Sequence, residues 1–169
     1  MKTIKKTMYL VMLFTAVLFT ACSGDDDNDG DGGDGGAGGA EFLTAKVNGA
    51  NFEAAQDPAV IVAATTSNGV LTLHGGENSG ATIRATIQSY TGVGTYTTGD
   101  NLSNVNSLTY LTISPIATWM STFNIGSGTL EVTSDDGSTV EGTFSFEGFN
   151  AQDQSTKSIT EGSFKATID

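Results

Sequence analysis

Val140-Glu141-Gly142-Thr143-Phe144-Ser145-Phe146-Glu147 alternates between two kinds of side chain. A period of two puts Val140, Phe144 and Phe146 on one face of an extended chain and Glu141, Thr143, Ser145 and Glu147 on the other. One face is expected to meet a core and the other water. Immediately upstream, Asp135-Asp136-Gly137-Ser138 supplies the residues that turn a chain, so a strand is expected over 139–149. Downstream, Ile159 is out of phase with Phe164, Ala166 and Ile168. Gly162 between them is where a bulge can absorb the slip, so Ser158 to Ile168 is expected to be a kinked strand.

The same grammar extends back to Glu41. Asn48-Gly49 stands between two β-prone runs in Ala45-Lys46-Val47-Asn48-Gly49-Ala50-Asn51-Phe52, and both turn residues tolerate positive φ, which predicts an opening hairpin. Ala59–Thr65 and Val70–His74 are joined by Ser67-Asn68-Gly69. Ala81–Tyr90 follows, then a glycine-broken turn over Thr91–Tyr96. Ser107–Ser114, Ala117–Phe123 and Thr129–Thr133 complete the set. No stretch holds a 3.6-residue period. Strands spaced near ten residues apart predict an all-β domain over 41–169, a single antiparallel β-sandwich or a small β-barrel-like domain. Its β-branched and aromatic clusters suffice for one core.

Residues 1–21 read differently. A basic start (Lys2, Lys5, Lys6), an apolar run from Met8 to Leu18 and small residues at Thr20 and Ala21 have the form of a bacterial signal peptide. The apolar part is shorter than the ~20 residues a helix needs to cross a bilayer. Leu18-Phe19-Thr20-Ala21-Cys22 resembles the lipobox of bacterial lipoproteins, with Phe19 where that pattern usually has Leu, Val or Ile. The resemblance implies that Cys22 is lipidated and becomes the new N-terminus. Cys22 is also the only cysteine, so no disulfide forms within the chain. After Cys22, residues 23–40 contain no apolar side chain larger than alanine and cannot bury a core, so 22–40 is expected to be a lipidated cysteine followed by a disordered acidic tether reaching on the order of 25 Å. An acidic stretch directly after the lipid cysteine resembles the export signal that sends Bacteroidota lipoproteins to the outer face of the outer membrane.

Charge narrows the partners. With the three N-terminal lysines removed, 4 basic residues face 19 acidic ones, a net of −15. Lys46, Arg84, Lys157 and Lys165 are scattered singly, so nucleic acid, which needs a basic stripe, is not expected as a partner. Asp25, Asp27 and Asp29 followed by Gly30 match the first half of a calcium loop, but Gly36 stands where the bidentate glutamate belongs, and no metal or other cofactor is expected. His74, the only histidine, stands at an expected strand end without a Gly-x-Ser-x-Gly elbow to name a nucleophile. Glu131, Glu141, Glu147 and Glu161 fall on expected strands, where a pair could serve glycosidic hydrolysis and a solvated sheet face would look the same. Trp119, Tyr90, Tyr96 and Tyr110 are the candidates for stacking on a ligand. Alternation groups Trp119 with Ala117, Ser121 and Phe123, the pattern of a core face.

Lipobox, acidic linker, Phe42-Leu43-Thr44-Ala45-Lys46-Val47-Asn48-Gly49, Gly94-Thr95-Tyr96, and Gly142-Thr143-Phe144-Ser145-Phe146 followed by Ile159-Thr160-Glu161-Gly162-Ser163-Phe164 together resemble a family of small Bacteroidota lipoproteins known as a domain of unknown function. The likeness covers nearly the whole mature chain. It implies a β-rich surface lipoprotein, with no known activity and no site residues to carry over. The function expected is that of a non-enzymatic outer-membrane lipoprotein facing outward, held to the membrane through lipid on Cys22 and binding a glycan, peptide or envelope protein. The alternative is a carboxylate-based hydrolase acting on glycans.

Overall fold

The computed structural model describes residues 40–55 and 62–169. The expected signal segment, Cys22, Asp25, Asp27 and Asp29 of the expected tether, and the first residues of the expected Ala59–Thr65 strand lie outside the described residues. Eleven strands and no helix make up the described part: β1 Phe42–Val47, β2 Ala50–Glu53, β3 Ala63–Ser67, β4 Val70–Gly76, β5 Thr82–Gln88, β6 Gly94–Thr98, β7 Ser107–Ile113, β8 Ile116–Thr122, β9 Ser127–Asp135, β10 Thr139–Phe149 and β11 Thr156–Thr167. Asn48 and Gly49 take φ of 50° and 83°, and Asn68 and Gly69 take 51° and 73°, so both short hairpins use the left-handed pairs that Asn-Gly permits.

The strands form one antiparallel sheet in the order β2-β1-β11-β10-β8-β7-β5-β4-β3, and a side branch carries β9 on β10 and β6 on β9. The branch arises because β10 is long. Val140–Glu147 pairs with β9, and Phe149 reaches past it to Met120 of β8. The sheet curls into a half-barrel. At its far edge Ala64 of β3 bridges Ile168 in parallel, and the Asp169 amide donates to the Ala64 carbonyl at 2.9 Å. The inward faces fill the curl with Leu71, Leu73, Ile83, Leu108, Leu130, Val140, Phe144, Ile159 and Phe164, all buried. Each such side chain contributes about 1.5–3 kcal/mol.

Two details depart from the sequence reading. Gly94–Thr98 is a strand rather than the end of a turn. Its inward positions are Gly94, Tyr96 and Thr98, so it has no apolar alternation of its own and takes its conformation from β9, from Gly94↔Val132 to Thr98↔Gly128. The slip in β11 falls at Glu161, one residue before Gly162, with φ of 52°. Both neighbours register it: Thr44↔Ser163 gives way to Lys46↔Thr160, and Phe144↔Gly162 to Phe146↔Ile159. Gly162 serves a different need, because a Cβ there would stand 2.6 Å from the Phe144 ring.

Candidate functional site

Three connections meet at one end of the half-barrel: the β3–β4 turn, the segment leaving β5, and the β9–β10 turn. They surround a cleft of about 560 Å³ lined by Thr66 to Val70, Tyr90 to Val93, Asp135, Gly137 and Ile168. Tyr90 organises it. Ser89, at φ 53°, swings the chain out of β5, and the Tyr90 amide then donates to the Gly69 carbonyl at 2.7 Å, which fastens this segment to the β3–β4 turn. Its hydroxyl donates to Asp135 Oδ2 at 2.6 Å, while Asp135 Oδ1 accepts from the Gly137 amide at 2.9 Å. One carboxylate thus ties the aromatic ring to the β9–β10 turn.

Tyr96 stands behind Tyr90, with ring centroids 5.5 Å apart. Its hydroxyl donates to the Gly92 carbonyl at 2.7 Å and accepts from the Thr91 amide at 3.2 Å, which closes the Thr91–Val93 loop on itself. Burial, and then the bond to Asp135, push Tyr90 ionisation well above the ordinary tyrosine range, so its hydroxyl stays a donor at any physiological pH. The cleft therefore combines an aromatic ring held from behind with hydroxyl, amide and carboxylate groups from three loops, the arrangement of a small-molecule site.

The other two aromatic candidates are placed elsewhere. Tyr110 and Trp119 lie inward with ring centroids 5.8 Å apart, and Phe52 meets Tyr110 edge-on at 6.3 Å. Both are under a tenth exposed. Lys157 reaches over them, its Nζ 4.5 Å from the Trp119 centroid, and Trp119 Nε1 donates to Ser155 Oγ at 2.8 Å. Core, cation and hydrogen bond occupy the surfaces that a ligand would need. Burial, and behind it Glu77, raise the ionisation of Tyr110.

The strand glutamates face outward. Glu141 pairs with Lys165 at 2.8 Å and Glu161 with Lys46 at 2.8 Å. Glu131 on β9 and Glu161 on β11 line one shallow depression with Thr143 and Ser145 of β10 between them, and they are not level: Glu131 stands opposite Thr143, whose partner on β11 is Ser163. His74 is half-buried on β4, opposite Ala63 and Arg84. Among the described residues no group of three or more His, Cys, Asp or Glu side chains could hold a metal ion.

Two features escaped the sequence. Asp135 reads there only as one of two turn aspartates. The outward face of β8 carries Ile116 and Met120, which with Ile125, Phe149 and Ala151 line an apolar groove of about 280 Å³. Its signal was the second half of the alternation around Trp119, which draws attention to the inner face alone. No curated protein and no solved structure matches the chain. A family match runs over residues 40–167, from the approach to β1 through the last residue of β11, and the chain belongs to that family, described as a domain of unknown function, DUF6252.

Proposed function

We propose that the protein is a lipid-anchored, non-enzymatic binding module on the outward face of a Bacteroidota outer membrane, and that its loop cleft takes a glycan. The single observation that supports this most is the Tyr90 cleft: a ring for stacking against a sugar face, beside polar groups that can bond its hydroxyls. The anchor reading rests on the basic start, the short apolar run and the lipobox-like Leu18 to Cys22. Buried acyl methylenes contribute about 0.8 kcal/mol each, so two or three chains on Cys22 hold the protein stably, and the tether lets the domain stand clear of the headgroups.

Glycan-array screening followed by calorimetry tests the cleft. Tyr90→Ala is expected to weaken binding by about tenfold or more, while Tyr90→Phe, which keeps the ring, stays within about threefold. Unchanged affinity in Tyr90→Ala would remove the cleft from consideration. The alternative, a glycan hydrolase, is favoured only by the depression that Glu131 and Glu161 share, and there Lys46 already engages Glu161. Release of reducing ends from an array-positive glycan, lost in Glu131→Gln, would favour it over simple binding.

A further inference from the structure

A second surface shares no residue with the Tyr90 cleft. β7 covers one edge of β8 along its whole length, from Ser107↔Thr122 to Ile113↔Ile116. On the other edge β10 meets β8 at Phe149↔Met120 and then leaves. Had β10 run on in register, residues 151 and 153 would stand opposite Thr118 and Ile116. Instead the Asn150 amide donates to the Ser155 carbonyl at 2.9 Å and Asn150 Oδ1 accepts from the Gln152 amide at 2.8 Å, so the chain turns back into β11. Ile116 to Thr118 are left with no strand paired on that side among the described residues, and the 150–152 turn faces them across a groove instead. Such an edge offers unpaired backbone donors and acceptors to another chain.

The apolar groove lies along this open edge. Ile116 is 84% exposed and Ile125 42%, far from what a core would leave. Met120, Phe149 and Ala151 complete its apolar lining. Lys46, Arg84, Lys157 and Lys165 all stand outside it. Carboxylates flank it in the chain instead: exposed Glu147 is two residues from Phe149 on the same face of β10, and exposed Asp153 follows Gln152 in the turn, its Oδ1 accepting from the Ser155 amide and hydroxyl.

We propose that the open edge of β8 accepts an extended, apolar peptide segment with basic flanks, from another protein, as an added strand. The missing neighbour supplies backbone pairing, the groove takes alternate side chains of the incoming strand, and Glu147 and Asp153 meet its basic ends. Charge decides among occupants. A second copy would bring another strongly acidic surface to an acidic rim. The chain's own tether has no apolar side chain larger than alanine and repeats the same charge.

The test is a titration of isotope-labelled protein, followed by amide resonances, with a synthetic peptide of about seven residues that alternates valine and threonine between terminal lysines. Saturable shifts are expected at Ile116 to Thr118 and Phe149 to Gln152. Ile116→Asp, at a position too exposed to endanger folding, should weaken binding by roughly tenfold or more by placing a charge against the incoming strand. Glutamate-ended peptide should fail to bind, and added salt should weaken the lysine-ended one. Shifts confined to other strands, or equal affinity in Ile116→Asp, would overturn the proposal. So would peptide-independent dimerisation, or adsorption to phosphatidylethanolamine–phosphatidylglycerol vesicles, either one abolished by Ile116→Asp, because a second copy or a lipid surface would then own the edge.

Discussion

Gly142 illustrates how much one residue's neighbours decide. It sits inward on β10, where a Cβ would press on the Glu131 carbonyl oxygen and stand 2.8 Å from Phe164 Cζ. β9 comes this close because it slips by one residue opposite Glu141 and Gly142. Gly142→Ala is therefore expected to cost about 1–3 kcal/mol, read from the denaturant midpoint. A period of two between Val140 and Phe144 places position 142 inward, but the reason for glycine lies in a bulge on another strand. Tyr90 carries a second prediction. Its ionisation is raised in the folded protein, so the stability it contributes is complete below its ordinary value of 10.0 and is lost as pH climbs above that toward the folded value. Tyr90→Phe should lower stability by about 1 kcal/mol at neutral pH by leaving Asp135 without its hydroxyl donor. It should also flatten the alkaline decline, leaving the part due to Tyr110, which is raised as well. An alkaline limb as steep as in the parent protein would show that Tyr90 does not hold the cleft together.

Elements were legible in proportion to how locally they are specified. The two Asn-Gly hairpins and β10 carry their own instructions, in φ-tolerant pairs and strict alternation. β6 does not, because Gly94, Tyr96 and Thr98 become a strand only against β9. Turns held by aspartate lie between these cases. Asp136 Oδ1 accepts from the Ser138 amide at 2.9 Å, its hydroxyl at 2.8 Å and the Thr139 amide at 2.7 Å, which folds the β9–β10 connection around one carboxylate. Those Ser138 and Thr139 bonds hold Asp136 below its usual ionisation range. Ser155, through its hydroxyl and then its amide, does the same for Asp153, and Asn104 and Thr97 do so for Asp100. The sign follows: the stability these groups contribute is present above the ordinary value of 3.8 and is lost as pH falls below it toward the folded values. Asp136→Ala is expected to lower the melting temperature at neutral pH and to narrow the acid-induced loss. An unchanged acid profile would place that loss with the other carboxylates.

At the scale of the whole molecule, the all-β class was readable from strand spacing. The choice of a curled half-barrel was not, because it depends on pairings between strands far apart in the chain and on the Ala64–Ile168 bridge. The candidate site was legible to the same degree: Tyr90 and Tyr96 could be named, but not that Asp135 would hold Tyr90 over a cleft. For the proposed anchor, labelled palmitate fed to producing cells is expected to enter the parent protein and not Cys22→Ser, since Cys22 is the only cysteine that could carry the acyl chains. Equal labelling of both would point to another attachment. Strand order carries one more consequence, and it concerns time. β11 lies between β1 and β10, so the earliest strand of the domain pairs with the latest across nearly its whole length. Until residues 156–167 arrive, the β1–β2 hairpin has no third strand paired to it and is held where Leu43 and Ala54 meet Gly75 and the Ala55 amide donates to the Gly76 carbonyl, and an unsupported hairpin is marginal in water. Most of the loop-closure entropy must then be overcome before the central strand rewards it, and folding is expected to take about milliseconds to seconds. During that interval the sheet is split between β1 and β10, and residues 156–167 decide when its two parts join.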